Sequence, residues 1–333
     1  MPETPAYQIK TAKEWSPAGD HYSVAHLPHT DQLFVGGHTG KLQRVDLAEE
    51  KPQPIVWDAH VSYISSLVLT SKYLISAGSD HQVIWWNRES RERVRAVAHP
   101  KWVRHLSISP DGQILASVCD DMIGRLWEVE SGQPIRELQG HALLTPFDLV
   151  SKLYAAAFSR DGKRLATVDQ AGHALVWETA TGQKLADIHA PLFYTHDTNG
   201  HTYGGIRSVD FSPDGQQIAL GGNLAGDTST ITGSKSLMQV YDWQTGKLVA
   251  ECQAGGDFFY ERVKFHNEGK WLLGAGGAGN GAKLVLFDLA SQALLAEVKL
   301  PSPAFDIALN ESSDTCFTVG RGKVGKWAIT SGS

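Results

Sequence analysis

Apolar and polar positions along this chain fall into short strand-length runs separated by turn-forming clusters. One run recurs with an aromatic or apolar residue followed by a polar one. It appears as Val45-Asp46, Trp86-Asn87, Trp127-Glu128 and Trp177-Glu178, then as Tyr241-Asp242, Phe287-Asp288 and Trp327-Ala328. The base period is about 40 residues, with stretched units in the middle of the chain. In step with it run SPDG at 109–112, SRDG at 159–162, SPDG at 212–215 and HNEG at 266–269, each between two apolar runs. Pro, Asp and Gly there are turn chemistry, so each marks a hairpin tip. A second turn, such as ESGQ, TATGQ or WQTGK, leads into a further run. Each unit therefore predicts four short antiparallel strands, a to d.

With these motifs the chain resembles the WD-repeat β-propeller family over essentially its whole length. The resemblance implies an all-β fold, a single seven-bladed propeller of four-stranded antiparallel blades. It also implies a hydrogen-bonded set of His, Ser or Thr, Asp and Trp inside each blade. Blade two matches with His60, Ser76, Asp80 and Trp86, and blade three with His99, Ser117, Asp121 and Trp127. Blade four keeps His141, Thr167 and Trp177 but has Ala171 where Asp is expected. Such a set imitates a hydrolase triad; its expected role is to satisfy buried polar atoms between strands. Blades are expected near 20–57, 60–98, 99–139, 141–188, 201–252, 256–298 and 301–330. The seventh lacks an outer strand, and a spare strand at residues 7–12 is expected to complete it, removing the free edges.

In such a propeller the d–a and b–c loops open on one face, by resemblance the narrower, here called the top. The long segments 141–152, 189–204, 222–236 and 274–282 are all loops of that kind, on blades four to six. Long loops on a rigid scaffold commonly carry function. Aligning the a strands places Ser23, Ser65, Arg104, Tyr154, Arg207, Glu261 and Phe305 at the channel mouth of the same face. Tyr63, Trp102 and Phe259 stand just upstream. Arg, Tyr and Trp concentrate binding energy at interfaces. The expected partner-binding set is therefore Trp102, Arg104, Tyr154, Tyr194, Tyr203, Arg207, Phe259, Glu261 and Phe305.

Composition narrows the function class. A formal net charge of −6 works against phosphate-backbone binding, so a nucleic-acid partner is not expected. The three cysteines are scattered without CxxC spacing, which argues against disulfides or structural zinc and favours a reducing, cytoplasmic setting. The start MPETPAYQIKTAKEW lacks a basic segment followed by an apolar core, so no signal peptide is expected. No apolar run reaches a membrane span.

Two other chemistries stand as alternatives. His189, His196, Asp197 and His201 crowd one loop and offer ligands for a metal-dependent or enzymatic propeller, though a solvated loop has the same composition. Arg91, Arg93 and Arg95, with Arg88 nearby, alternate along strand d of blade two and could bind a polyanion, though charge also guards an edge strand. The GAGGAG string at 274–279 precedes a strand instead of a helix, which removes the dinucleotide reading. The expectation is a non-catalytic scaffold without cofactor. It binds a protein or peptide on its top face, as a monomer or as a subunit of a larger assembly.

Overall fold

The computed structural model describes residues 7–196, 202–224, 235–252, 254, 258–277 and 281–331, with backbone alone at 195, 196, 202 and 203. The described residues form seven antiparallel sheets, each with strands a, b, c and d side by side; a to d follow chain order in blades one to six, and in blade seven the N-terminal strand stands in the d position. Blade two shows the plan: Ile64–Leu69, Tyr73–Gly78, Gln82–Asn87 and Arg93–Ala98. The a strands begin at His21, Ile64, Val103, Leu153, Thr202, Tyr260 and Ala304, and those of adjacent blades touch around a central axis.

Local chemistry sets the hairpins. At the a–b turn of blade three, Ser109 Oγ donates to Asp111 Oδ1 at 2.6 Å, and the Ile114 amide donates back to Ser109 Oγ at 2.8 Å. Gly112 takes the left-handed φ of 71° that closes the turn. Ser159 with Asp161 and Ser212 with Asp214 repeat the arrangement.

The ring closes as the sequence predicts, with a longer seam. Tyr7–Trp15 pairs antiparallel with Val324–Ser331, from Tyr7 opposite Ser331 to Trp15 opposite Val324. Pairing thus runs past residue 12, and Trp15 packs beside Val24, Val35, Phe317 and Val324. The hydrophobic cores lie between neighbouring blades. Tyr73, Ile75 and Trp85 of blade two interleave with Val103, Leu106, Leu115 and Trp127 of blade three. Around the axis, strand a of one blade accepts amides from strand a of the next. Leu106 N donates to Ser66 Oγ, Phe265 N to Asp210 Oδ2 and Val24 N to Asp306 Oδ2. These bonds satisfy the inner edges that the channel would leave open.

The internal His–Ser–Asp–Trp set is complete in blade two. His60 bridges Ser76 Oγ at 2.8 Å and Asp80 at 2.9 Å, while the Trp86 indole donates to the same hydroxyl at 2.9 Å. Ser76 is wholly buried, so the set is architecture. Blade three departs from expectation. His99 and Trp127 both reach Ser117, but Arg125 captures Asp121 at 2.6 Å and His99 Nδ1 is left buried without a partner. Blade four corrects the opposite way. Asp169, two positions before Ala171, binds His141 at 2.7 Å, and His141 and Trp177 share Thr167. A fragment unanticipated from sequence, Trp327 donating to Thr318, occurs in blade seven.

The glycine string at 274–279 also has a packing reason among its described residues. A Cβ on Gly276 would fall 1.9 Å from the Phe259 carbonyl oxygen, and one on Gly274 would strike the Tyr260 ring. Cys119, Cys252 and Cys316 are buried free thiols. Among the described residues no helix is long and apolar enough to cross a membrane.

Candidate functional site

Every a strand carries a register shift, after its first residue in six blades and between Ile206 and Ser208 in blade five, and the skipped residue differs from blade to blade. The skipped residues are Tyr22, Ser65, Arg104, Tyr154, Arg207, Glu261 and Phe305. A β-bulge re-aims the side chain it skips. Here seven bulges direct seven side chains to one opening, where they line a cavity of about 260 Å³ together with Tyr63, Trp102 and Arg262. The sequence alignment is correct in six blades and off by one in blade one. The mouth residue there is Tyr22, whereas Ser23 is fully buried.

The two sides of the mouth differ. On blades three to five, Arg104 stacks on Trp102 at 3.5 Å and holds Asp120 through a bidentate pair at 2.8 and 2.7 Å. Its charge is therefore neutralised, and it has a structural reason to be half-buried. Arg207 lies over Tyr154 at 4.4 Å and near Phe259 at 6.0 Å, and its buried Nε has no acceptor. Among the described residues its guanidinium makes no hydrogen bond or ion pair. Tyr154 and Glu261 raise its pKa from the ordinary arginine value against the opposing effect of burial. On blades seven, one and two, Tyr22 packs edge-on against Tyr63 at 5.8 Å and tilts against Phe305 at 5.2 Å. Burial pushes the Tyr22 phenol above its usual range.

Two glycines admit this geometry. Gly204 and Gly205, both at positive φ, carry the chain from the blade-five insertion to Arg207. A Cβ on Gly204 would meet the Phe193 carbonyl oxygen at 2.1 Å, and one on Gly205 would crowd the Tyr154 ring at 3.1 Å.

The opposite end of the channel is charge-paired. Arg262 binds Asp306 at 2.6 Å and Lys264 binds Asp210 at 3.3 Å, around a cavity of about 590 Å³. Burial holds the His105 imidazole well below its ordinary pKa there.

Segment 141–152 folds into a small hairpin bridged at Leu144 and Val150, which leaves Leu143, Leu144, Phe147 and Val150 exposed. Phe147 stacks on Tyr194 at 5.9 Å. Tyr194 thus supports that hairpin instead of lining the mouth. Its strand, Tyr194–His196, pairs with the start of Thr202–Phe211 and gives blade five a fifth strand. The side chain of Tyr203 lies outside the described residues.

Both alternative chemistries change on inspection. His189 ends strand d of blade four and stacks on His173 at 4.7 Å, so it belongs to the sheet and not to the loop. Asp197, His201 and the side chain of His196 lie outside the described residues; among those described, no group of three His, Cys, Asp or Glu could hold a metal. The arginine strip is broken up. Arg91 occupies the c–d turn at φ 65° and not strand d, whose span is Arg93–Ala98. Arg95 donates to the carbonyls of Val129 and Glu130, and Arg88 to that of Thr70.

Comparison with known proteins agrees with this geometry. The family model described as "WD domain, G-beta repeat" matches residues 193–232, and "Anaphase-promoting complex subunit 4 WD40 domain" matches 70–154. The apoptotic protease-activating factor 1 of Rattus norvegicus is 30% identical, over 63% of this chain and 19% of its own length. Pre-mRNA-processing factor 19 of Oryza sativa subsp. japonica is 23% identical, over 75% of this chain and 44% of its own. The serine-threonine kinase receptor-associated protein of Gallus gallus is 25% identical, over 60% of this chain and 51% of its own. The chain thus spans between a fifth and about half the length of these relatives.

Proposed function

Since this chain belongs to the WD-repeat β-propeller family, whose propellers generally serve as interaction scaffolds, we propose that it is a non-catalytic scaffold binding a protein partner on its top face. The carrying observation is the convergence of seven bulged strands on one mouth containing an unpaired arginine and half-exposed rings. A rigid closed ring holds these groups in place, which lowers the ordering cost of binding. The hairpin at 141–152 extends the same face with exposed apolar side chains, the kind of patch that marks interaction sites. The relatives support an associating role, one of them being named as receptor-associated. Three buried free thiols suit a reducing compartment, and we place the protein in the cytoplasm.

The test is affinity capture from native lysate with three baits: the parent chain, Tyr63→Ala/Val150→Asp on the top face, and Lys163→Glu at an a–b turn of the bottom face. The expected result is loss of the parent's partners with the first variant and retention with the second. Retention by both variants refutes the assignment of the face.

A further inference from the structure

We propose that the mouth accepts the carboxylate of an aspartate or glutamate side chain, presented by an extended segment of the partner and gripped by Arg207. This rests on the top-face assignment and goes one step further, to the chemistry of what enters.

The charges in the mouth decide it. Arg104 is neutralised by Asp120, and Arg262 is committed to Asp306 toward the other end of the channel. What remains is Arg207 beside Glu261, neither with a hydrogen bond or ion pair through its charged group among the described residues. Arg207 lies over Tyr154 and near Phe259. Its Nε is buried without an acceptor, and so is the indole Nε1 of Trp102 in the same lining. This side of the mouth therefore offers donors that lack acceptors. A guanidinium between rings suits a planar carboxylate held by two parallel N–H···O bonds, and the rings exclude the water that would weaken them.

Size and the second charge select the occupant. About 260 Å³ is less than an ordinary small-molecule cleft, and suits one side chain from a segment lying across the rim. Glu261 lines the same small mouth as Arg207, so its field also acts on whatever Arg207 binds. A single carboxylate tolerates that field better than a phosphate group, which carries about −1.5 to −2 charges. Glu261 thus serves as a repulsive element against phosphopeptides, the kind of device by which specific sites reject near-cognate ligands. The rim around Tyr22, Tyr63 and Phe305 suits apolar neighbours of the acid.

The probe is an immobilised array of short peptides with Glu, Asp, Gln, Lys or phosphoserine at the centre and randomised flanks. Binding of the full chain is then measured in solution by fluorescence anisotropy for the strongest sequences. Acid-centred peptides should exceed their Gln-centred counterparts at least tenfold. Arg207→Ala should abolish that preference at an unchanged thermal midpoint. Should Arg207→Ala fold poorly, Arg207→Lys, which keeps the charge without the planar fork, should still reduce the preference severalfold. Glu261→Gln should strengthen phosphoserine-centred binding relative to the parent. The proposal is overturned by equal binding of Gln-centred peptides, by a parent preference for phosphoserine or lysine, or by the absence of peptide binding. If it fails while Tyr63→Ala/Val150→Asp still abolishes capture, the top-face assignment stands and only the carboxylate is wrong. If both fail, the face itself is wrong.

Discussion

Replacing Asp169 by alanine tests whether this carboxylate, and not the family position at residue 171, holds blade four together. Asp169 accepts from His141 Nδ1 at 2.7 Å and from the His173 amide at 2.9 Å, and the His141 and Asp169 side chains are only 1% and 2% exposed. The alanine variant strands both donors. At about 1–3 kcal/mol for each unsatisfied group, the expected loss is about 2–6 kcal/mol. Unfolding entropy is about 2 cal/mol/K per residue, so for 333 residues melting as one unit 1 kcal/mol moves the midpoint roughly 1.4 °C. The midpoint should then fall by about 3–8 °C, read by tryptophan fluorescence or circular dichroism. Asp169→Asn keeps one acceptor and should lose about half as much. Ala171→Asp, which restores the family spacing, places a carboxylate at a buried position and should destabilise. An Asp169→Ala midpoint within 1 °C of the parent would refute the reasoning.

Three further outcomes follow from particular residues. Burial holds His21 and His99 down to about 4 against an ordinary 6.5, so the unfolded chain takes up these protons first. Each histidine's contribution, up to about 3 kcal/mol, is complete above about pH 6.5 and is lost as pH falls toward 4. His99→Gln should flatten the fall in thermal midpoint between pH 7 and 4.5, and unchanged slopes would count against it. Arg91 and Gln292 take positive φ at c–d turns where Gly132, Gly182 and Gly246 do so without strain. Arg91→Gly/Gln292→Gly should gain about 1–2 kcal/mol in denaturant unfolding, and a loss contradicts the strain argument. Removal of residues 1–15 frees the edge of Val324–Ser331 and should cause self-association visible by light scattering. A stable monomer with the parent's midpoint would show that the seam is dispensable.

The seven blades and their closure were legible because turn tetrads and aromatic-polar pairs repeat along the chain, and each has a local physical cause. What escaped depends on backbone register. His21, Tyr22 and Ser23 all precede the apolar run of strand a in blade one, and only the bulge decides that Tyr22 turns inward while Ser23 is buried. Spacing alone could not show that Asp169 reaches His141 from two positions away, or that Arg125 takes Asp121 from His99. Arg91 reads as a strand residue in a period-two pattern until its left-handed conformation places it in the turn. The mouth was legible as a set of aligned positions. Its distribution of charge was not, because pairing Arg104 with Asp120 while leaving Arg207 free depends on three-dimensional reach.

The most direct measurement replaces single residues by a photo-crosslinking amino acid and asks which positions join the partner in native lysate. Probes at Tyr63 and Val150 sample the mouth and its hairpin, and Lys163 samples the opposite face. The same partner should crosslink from Tyr63 and Val150 and not from Lys163. Crosslinks confined to Lys163 would contradict the account.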